Sequence, residues 1–344
     1  MSEKTKKKLL YIGYFNLGST CNSRLNDLKD YFYIDKYDMS INFPLWRRSI
    51  SSVWRRIHFG PPYFLLFYQL KKIFRKKKYD IVLIEKNSFL YSRQLKFLKK
   101  LNDICFIMFC HDNVMIEKNS TPQLKESISF FDAIITTKNL NLEYYKDNGC
   151  KNVYLIDNAI SKHDLLPMED FEIINDSYLY DIGFIGRHEK YREELLYMLS
   201  SKINKKFIIA GPGWLDIKTK FNKNVELKGA LWGKDYKKFI RSTRINIGLN
   251  SKMAIDTITS RTIEIPAYNG FMLTERNVDT LRVFGKELDK TLYSNTEELV
   301  CLLLKYLSND KLRESLRVKQ FRAISKKQFN WGDVLSSILY KYIS

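Results

Sequence analysis

Asp256, Arg261, Glu264 and a helix stop fall within one short stretch, Ser251 to Arg276, which reads SKMAIDTITSRTIEIPAYNGFMLTER. Asp256 and Glu264 are separated by seven residues, and Arg261 lies between them. Charges crowded beside a core strand are costly unless something pairs with them. Ile263 and Ala267, followed by Phe271, Met272 and Leu273, predict a short helix, a stop at Gly270 with positive φ, and a strand Phe271–Thr274 buried on both faces. Such a unit sits at the carboxyl edge of a parallel sheet, where open α/β folds bind ligands.

Three more places carry chemistry. His111-Asp112-Asn113 directly follows an apolar run, Ile104–Cys110, so His111 and Asp112 can hold a hydroxyl or act as base; the plainer reading is a strand-end cap. Gly13 and Gly18 flank a turn between a first strand and a helix, where backbone N–H groups suit a phosphate or carbonyl oxygen. They do not form G-x-G-x-x-G, and the alternative is that they merely make the turn. Gly211 and Gly213 bracket Pro212 after the run KFIIA, a tight turn where backbone can approach a ligand closely.

Positioning these residues requires sheets. Apolar runs at Leu9–Tyr14, Tyr79–Glu85, Ile104–Cys110, Asp132–Thr137 and Val153–Ile156 alternate with helical patterns, the first of these running through Arg24, Leu25, Leu28 and Tyr31. A second series follows at Tyr180–Ile185, Lys206–Ala210, Val225–Gly229 and Ile245–Leu249. Strand and helix alternate, which predicts parallel sheets. With 344 residues the chain exceeds what one core usually serves, so two domains are expected.

Composition narrows the function classes. A hydrophobic content of 45% excludes a disordered chain. Five scattered cysteines without a C-x-x-C pair read as reduced cytosolic thiols. The basic start runs straight into a strand pattern, and no run nears the roughly 18 apolar residues of a spanning helix, so a soluble or peripheral protein is expected. There is no Walker A, H-E-x-x-H or G-x-S-x-G motif, and neither an Asp-x-Asp pair nor a zinc-like His/Cys set. The net charge of +20 is uneven: residues 41–100 hold 15 Lys or Arg against two acids, +13 in all. A lysine-rich solvated surface is one account, and an anionic partner is the other.

The run TSRTIEIPAYNGFMLTER resembles the signature of the CgeB-like glycosyltransferases, near the retaining nucleotide-sugar transferases that carry an E-x7-E motif. Here the first acid is Asp. The resemblance implies a GT-B architecture, with two Rossmann-like domains whose parallel sheets face across a cleft. The expected bounds are 1–167 for the acceptor side, 168–179 for a linker, 180–322 for the donor side, and 323–344 for a helix crossing back. It also implies that Glu264 holds the donor ribose and Asp256 faces the donor sugar. FIGR at 184–187 resembles the family's F-x-G-R turn, making Gly186 and Arg187 diphosphate ligands with Arg192 behind them; Arg261 is a further phosphate candidate, with an ion pair to Asp256 as its alternative. No metal or other cofactor is implied beyond the nucleotide-diphosphate sugar itself. The expected acceptor is a glycan, a lipid-linked sugar or another hydroxyl compound. The basic aromatic residues 46–78 are read as a surface for an anionic membrane, at the cytoplasmic face, or for an anionic glycan acceptor, or else as core and solvated lysines. A nucleotide-sugar epimerase of the same fold and a basic nucleic-acid-binding protein are the rival readings, although no nucleic-acid-binding motif is present.

Overall fold

The structure is a computed structural model and describes residues 6–16, 18–42, 53–54, 56–165, 178–326 and 330–343. The chain divides into two compact units: Met1–Asp157 with Asn330–Ser344, and Asn158–Phe329. The expected linker, 168–179, lies outside the described residues except for its last two positions.

The first unit contains six parallel strands: β1 (Lys7–Gly13), β2 (Phe32–Asp38), β3 (Ile81–Glu85), β4 (Cys105–Cys110), β5 (Ala133–Thr136) and β6 (Val153–Leu155). Their spatial order is β2-β1-β3-β4-β5-β6. β3, β4 and β5 are buried almost throughout, as strands covered on both faces must be. β2 differs. Its sequence FYIDKYD buries only Phe32 and Tyr37, and it pairs with β1 alone at the sheet edge. The helical pattern expected to reach Tyr31 therefore stops earlier: α1 spans Thr20–Leu28, and a half-polar edge strand follows without an apolar run to announce it. Helices α2 (Pro61–Lys76) and α3 (Ser92–Asn102) cover one flank.

The second unit repeats the plan. β7 (Tyr180–Ile185), β8 (Phe207–Ala210), β9 (Val225–Lys228), β10 (Thr243–Gly248), β11 (Met272–Glu275) and β12 (Leu292–Tyr293) are parallel, in the order β12-β11-β10-β7-β8-β9. Its relevant helices are α4 (Lys190–Lys202), α5 (Gly233–Arg241) and α6 (Ser260–Ala267). In each sheet the chain reverses its direction of travel once, between β1 and β3 in the first and between β7 and β10 in the second. The crevice outside the carboxyl ends of such a strand pair is where open sheets take their ligands.

The last helix, α7 (Trp331–Leu339), packs in the first unit. Trp331 meets Phe109 edge-on, with ring centroids 5.7 Å apart, and the Arg24 guanidinium lies 5.0 Å from the Trp331 ring centre. Arg24 is fully buried and forms a two-pronged ion pair with Glu85, Nε to Oε1 at 2.7 Å and Nη2 to Oε2 at 3.0 Å. Tyr11 donates its hydroxyl to the same carboxylate. Burial alone would lower the Arg24 pKa, but the Glu85 carboxylate more than reverses that and keeps the guanidinium charged. Gly13 belongs to this cluster, since a Cβ there would stand 3.0 Å from Glu85 Cγ. Gly18 has φ 79 in the exposed turn before Ser19, whose side chain caps α1.

One expectation about the Ser251–Arg276 stretch is corrected. Helix α6 ends in a Schellman arrangement, with Gly270 N–H donating to Ile265 O at 2.9 Å and Asn269 N–H to Pro266 O at 3.0 Å. The residue with positive φ is Asn269, at 70°, not Gly270. Gly270 is required for space instead, because a Cβ would come within 2.5 Å of Ile240 Cγ2.

Candidate functional site

The carboxyl ends of β7 and β10 carry most of the residues singled out in the second unit. β7 ends at Ile185 and runs into Gly186 and Arg187; β10 ends at Gly248 and leads through a loop to α6, with Arg261 and Glu264 one helical turn apart. That i, i+3 spacing puts both side chains on one face. The Arg261 guanidinium carbon lies 3.6 Å from where a Gly186 Cβ would be, so α6 leans over the β7 turn.

Glu264 is half-buried, and its Oε2 accepts the Tyr236 hydroxyl of α5 at 2.7 Å. Among the described residues its Oε1 makes no hydrogen bond. Desolvation raises its pKa above the ordinary glutamate value, with the Tyr236 bond and Arg261 pulling the other way and Asp164 adding to the rise. Asp164 is held by Lys237 and lies 3.5 Å from the Tyr268 hydroxyl. Tyr236 packs edge-on against Tyr268, giving Glu264 a rigid aromatic backing.

Arg261 and Arg187 have no carboxylate within ion-pair distance among the described residues, and Arg187 is exposed. The alternative ion pair between Arg261 and Asp256 does not form. Arg192 is different: it is buried, pairs with Glu189 at 3.0 Å, and donates to the backbone oxygens of Arg187 at 2.9 Å and Leu249 at 2.9 Å. It ties the β7 turn to the β10 end and has no free face for phosphate. Glu189 extends this tie by accepting from Met253 N–H at 3.3 Å.

Gly211 and Gly213 serve this turn from below. At Gly211, with φ 140, a Cβ would stand 2.0 Å from Gly186 O, so only glycine allows the two turns to touch. Trp214 Nε1 donates to the same Gly186 oxygen at 2.8 Å, and His188 N–H donates to Pro212 O at 2.9 Å. The second turn therefore braces the first. His188 stands T-shaped against Trp214, 5.0 Å between ring centres, and bonds Glu193 at 2.6 Å.

Asp256 lies in the loop before α6, half-buried, after Ile255 at φ 53. A β-branched residue in the left-handed region is strained, and such strain is concentrated at ligand-contacting loops. Tyr236 escaped the sequence reading because its partner, Glu264, lies 28 residues away, and Glu189 and His188 because part of their contacts, Met253 and Trp214, come from other segments.

In the first unit, His111 and Asp112 follow β4 as expected. His111 is exposed; Asp112 pairs with Lys86 at 2.6 Å and lies 3.7 Å from His111 Nε2. Burial pushes the Asp112 carboxyl up, but His111 and Lys86 outweigh it and hold it below its ordinary value. The carboxylate is thereby held in its ionised form, as a hydrogen-bond acceptor. Asn113 is buried and caps the following turn, accepting from Met115 N–H at 3.0 Å.

Comparisons with known proteins agree with this layout. Residues 187–339 match the family model described as glycosyl transferase-like. No curated protein sequence matches the chain. Among solved structures, an alpha-glucosyltransferase in complex with UDP and a 13-mer DNA superposes with TM-score 0.64 at 11% identity, over 98% of this chain and 99% of that one. TarM superposes at 0.61 with 16% identity over 83% of this chain, which spans 59% of TarM's length. T4 phage beta-glucosyltransferase gives 0.58 at 11% identity, covering 96% and 98%. Residues 187–339 thus match a glycosyl transferase-like family model, and the two parallel sheets follow the GT-B glycosyltransferase fold.

Proposed function

We propose that the chain transfers a sugar from a nucleotide diphosphate to an acceptor hydroxyl, and that the β7/β10 crevice binds the donor. The observation that carries this is the open Glu264 oxygen one helical turn from Arg261, which among the described residues has no carboxylate within ion-pair distance and leans over the Gly186 turn. A carboxylate with one oxygen fixed and one free suits the two hydroxyls of a ribose. As the nucleotide departs, negative charge grows on its outer phosphate and the sugar becomes oxocarbenium-like. Preorganised cations aimed at that charge lower the barrier most effectively. Arg261, Arg187 and the N-terminus of α6 fill that need, so the reading requires no resident metal. Asp256 faces the donor sugar in this reading, and retention of configuration rests on the likeness to the E-x7-E motif. His111 and Asp112 hold acceptor hydroxyls. UDP is the nucleotide to try first, since it is bound in the alpha-glucosyltransferase structure.

Thermal shift with UDP and with uridine tests the reading. A ligand at 100 times its Kd stabilises by about 2.7 kcal/mol. UDP is expected to stabilise more than uridine at equal concentration, and Arg261→Met to remove most of that difference. Equal losses for both ligands would show that Arg261 only holds the fold.

We further infer that α2 and α3 present a surface for an anionic membrane carrying a lipid-linked acceptor. The outer face of α2 exposes Phe64 (53%), Leu65 (46%) and Tyr68 (65%), then Lys72, Arg75 and Lys76. α3 adds exposed Phe97, Lys96 and Lys100. Trp54 packs partly against the core instead, and Trp46 lies outside the described residues. Among the described residues no helix is long and apolar enough to cross a membrane. Exposed rings beside cations favour an interfacial depth on anionic lipid, each cation adding about 1 kcal/mol. Co-sedimentation with liposomes should rise with anionic lipid content and fall by roughly 100-fold in affinity when Lys72, Arg75 and Lys76 all become Gln. Binding indifferent to both changes, or capture of an oligonucleotide in place of liposomes, would refute this.

A further inference from the structure

We propose that a groove between α2 and the edge strand β2 receives the phosphate of a lipid headgroup, so that the membrane contact selects phosphomonoester lipids over other anionic ones. This rests on the membrane reading above and adds the lipid's chemistry. Between Asp38 and Asp80 the sequence holds ten Lys or Arg and no acid, and α2 lies within that span. The groove, of about 300 Å³, takes Leu10 of β1 and Ile73 of α2 into its lining, with Lys72 and Lys76 on the α2 wall. Those two lysines are exposed and one helical turn apart, and among the described residues neither has a carboxylate within ion-pair distance. Lys77 and Tyr79 close the groove just before β3 begins at Ile81. It therefore lies away from the carboxyl edge, where the sheet would take a substrate.

One acid lines the groove, and it is already engaged. Asp35 Oδ2 accepts from Lys77 Nζ at 2.8 Å and from the Tyr79 hydroxyl at 2.8 Å. The Lys77 ammonium holds this carboxyl below its ordinary value, so it stays ionised and paired. Lys36 lines the groove as well, its ammonium 5.7 Å from the centre of the Phe15 ring. The carbonyls that end α2 carry partial negative charge and would repel an anion, but Asn102 Nδ2 donates to Phe74 O at 3.0 Å and to Lys77 O at 3.2 Å. A pair of ammonium groups beside an apolar lining remains for a ligand.

A phosphomonoester carries nearly two negative charges at neutral pH and three acceptor oxygens, which two ammonium groups can match. A phosphodiester headgroup carries one charge and leaves one ammonium unmatched. The apolar lining suits the glycerol carbons that follow the phosphate. Leu65, Tyr68, Lys72 and Lys76 follow one another at three- and four-residue steps along α2, so they form one exposed stripe. A lipid whose phosphate enters the groove thus keeps its chains on the side of the exposed apolar residues.

The test is co-sedimentation of the full chain with two sets of vesicles matched in surface potential, one made anionic by phosphatidate and the other by phosphatidylglycerol. Phosphatidate vesicles are expected to bind about tenfold tighter. Arg75→Gln, on the outer face of α2 but outside the groove lining, should weaken both sets by the same factor, about fivefold. Lys77→Gln should abolish the preference, because it leaves the Asp35 charge uncompensated against the phosphate, and Asp35→Asn should enlarge it. Both of these variants sit at an exposed ion pair, so the melting temperature should not change. Equal binding of the wild type to the two sets, or a preference that survives Lys77→Gln, would overturn this inference and leave the membrane reading standing. Binding to neither set would overturn both. Soluble glycerol 3-phosphate separates the two sources of such a phosphate: a chain that binds it while showing no preference among vesicles carries a site for a free metabolite, which also overturns the lipid assignment.

Discussion

Arg24→Met is expected to destabilise the first unit by about 3–5 kcal/mol, because it leaves the buried Glu85 carboxylate without its cation. For a unit of this size that is a fall in melting temperature of roughly 6–20 °C. The two-pronged contact and the Tyr11 hydroxyl satisfy Glu85 completely, so nothing nearby can replace the guanidinium. The double variant Arg24→Met with Glu85→Met should recover most of the loss, since exchanging a whole buried pair for apolar groups is often near neutral. A single variant that melts like the wild type, or a double variant no better than the single, would show that the pair does not hold β1, β3 and α1 together.

The second large effect concerns Glu264. A hydrogen bond to a charged group contributes about 1.5–3 kcal/mol, so Glu264→Gln should weaken nucleotide binding about tenfold or more. The raised pKa gives this a pH signature. Ribose hydroxyls donate, so the bond requires the carboxylate. An acid raised by desolvation picks up its proton at a pH above its ordinary 4.5, and donor affinity should therefore fall on acidification before pH 4.5 is reached. The same shift means that the folded chain binds this proton more tightly than the unfolded one, so in the absence of ligand it contributes stability below 4.5 that is lost as pH rises through the raised value.

The parallel strands were legible because burial on both faces leaves continuous apolar runs, as in IVLIE and FIIA. β2 was not, since an edge strand carries Asp and Lys and lacks such a run. Arg261 and Glu264 could be paired from helical spacing alone. The Asn269 conformation could not, because Gly270 beside it is the usual helix stop and its real constraint, the Ile240 methyl, comes from another element. Contacts between distant segments left no local trace: Tyr236 under Glu264, Arg192 across the β7 turn, and Glu85 against Arg24, 61 residues away.

Calorimetric titration of UDP into the wild type and Glu264→Gln, across neutral to mildly acidic pH, tests the donor site most directly. Any titration of the phosphates themselves is common to both proteins and cancels in the comparison. The account predicts a folded variant with affinity about tenfold lower or worse at neutral pH, and a gap that narrows as the solution is acidified toward pH 4.5 because the wild-type carboxyl takes up its proton. Equal UDP affinity in the two proteins, or a gap that stays constant with pH, would contradict it.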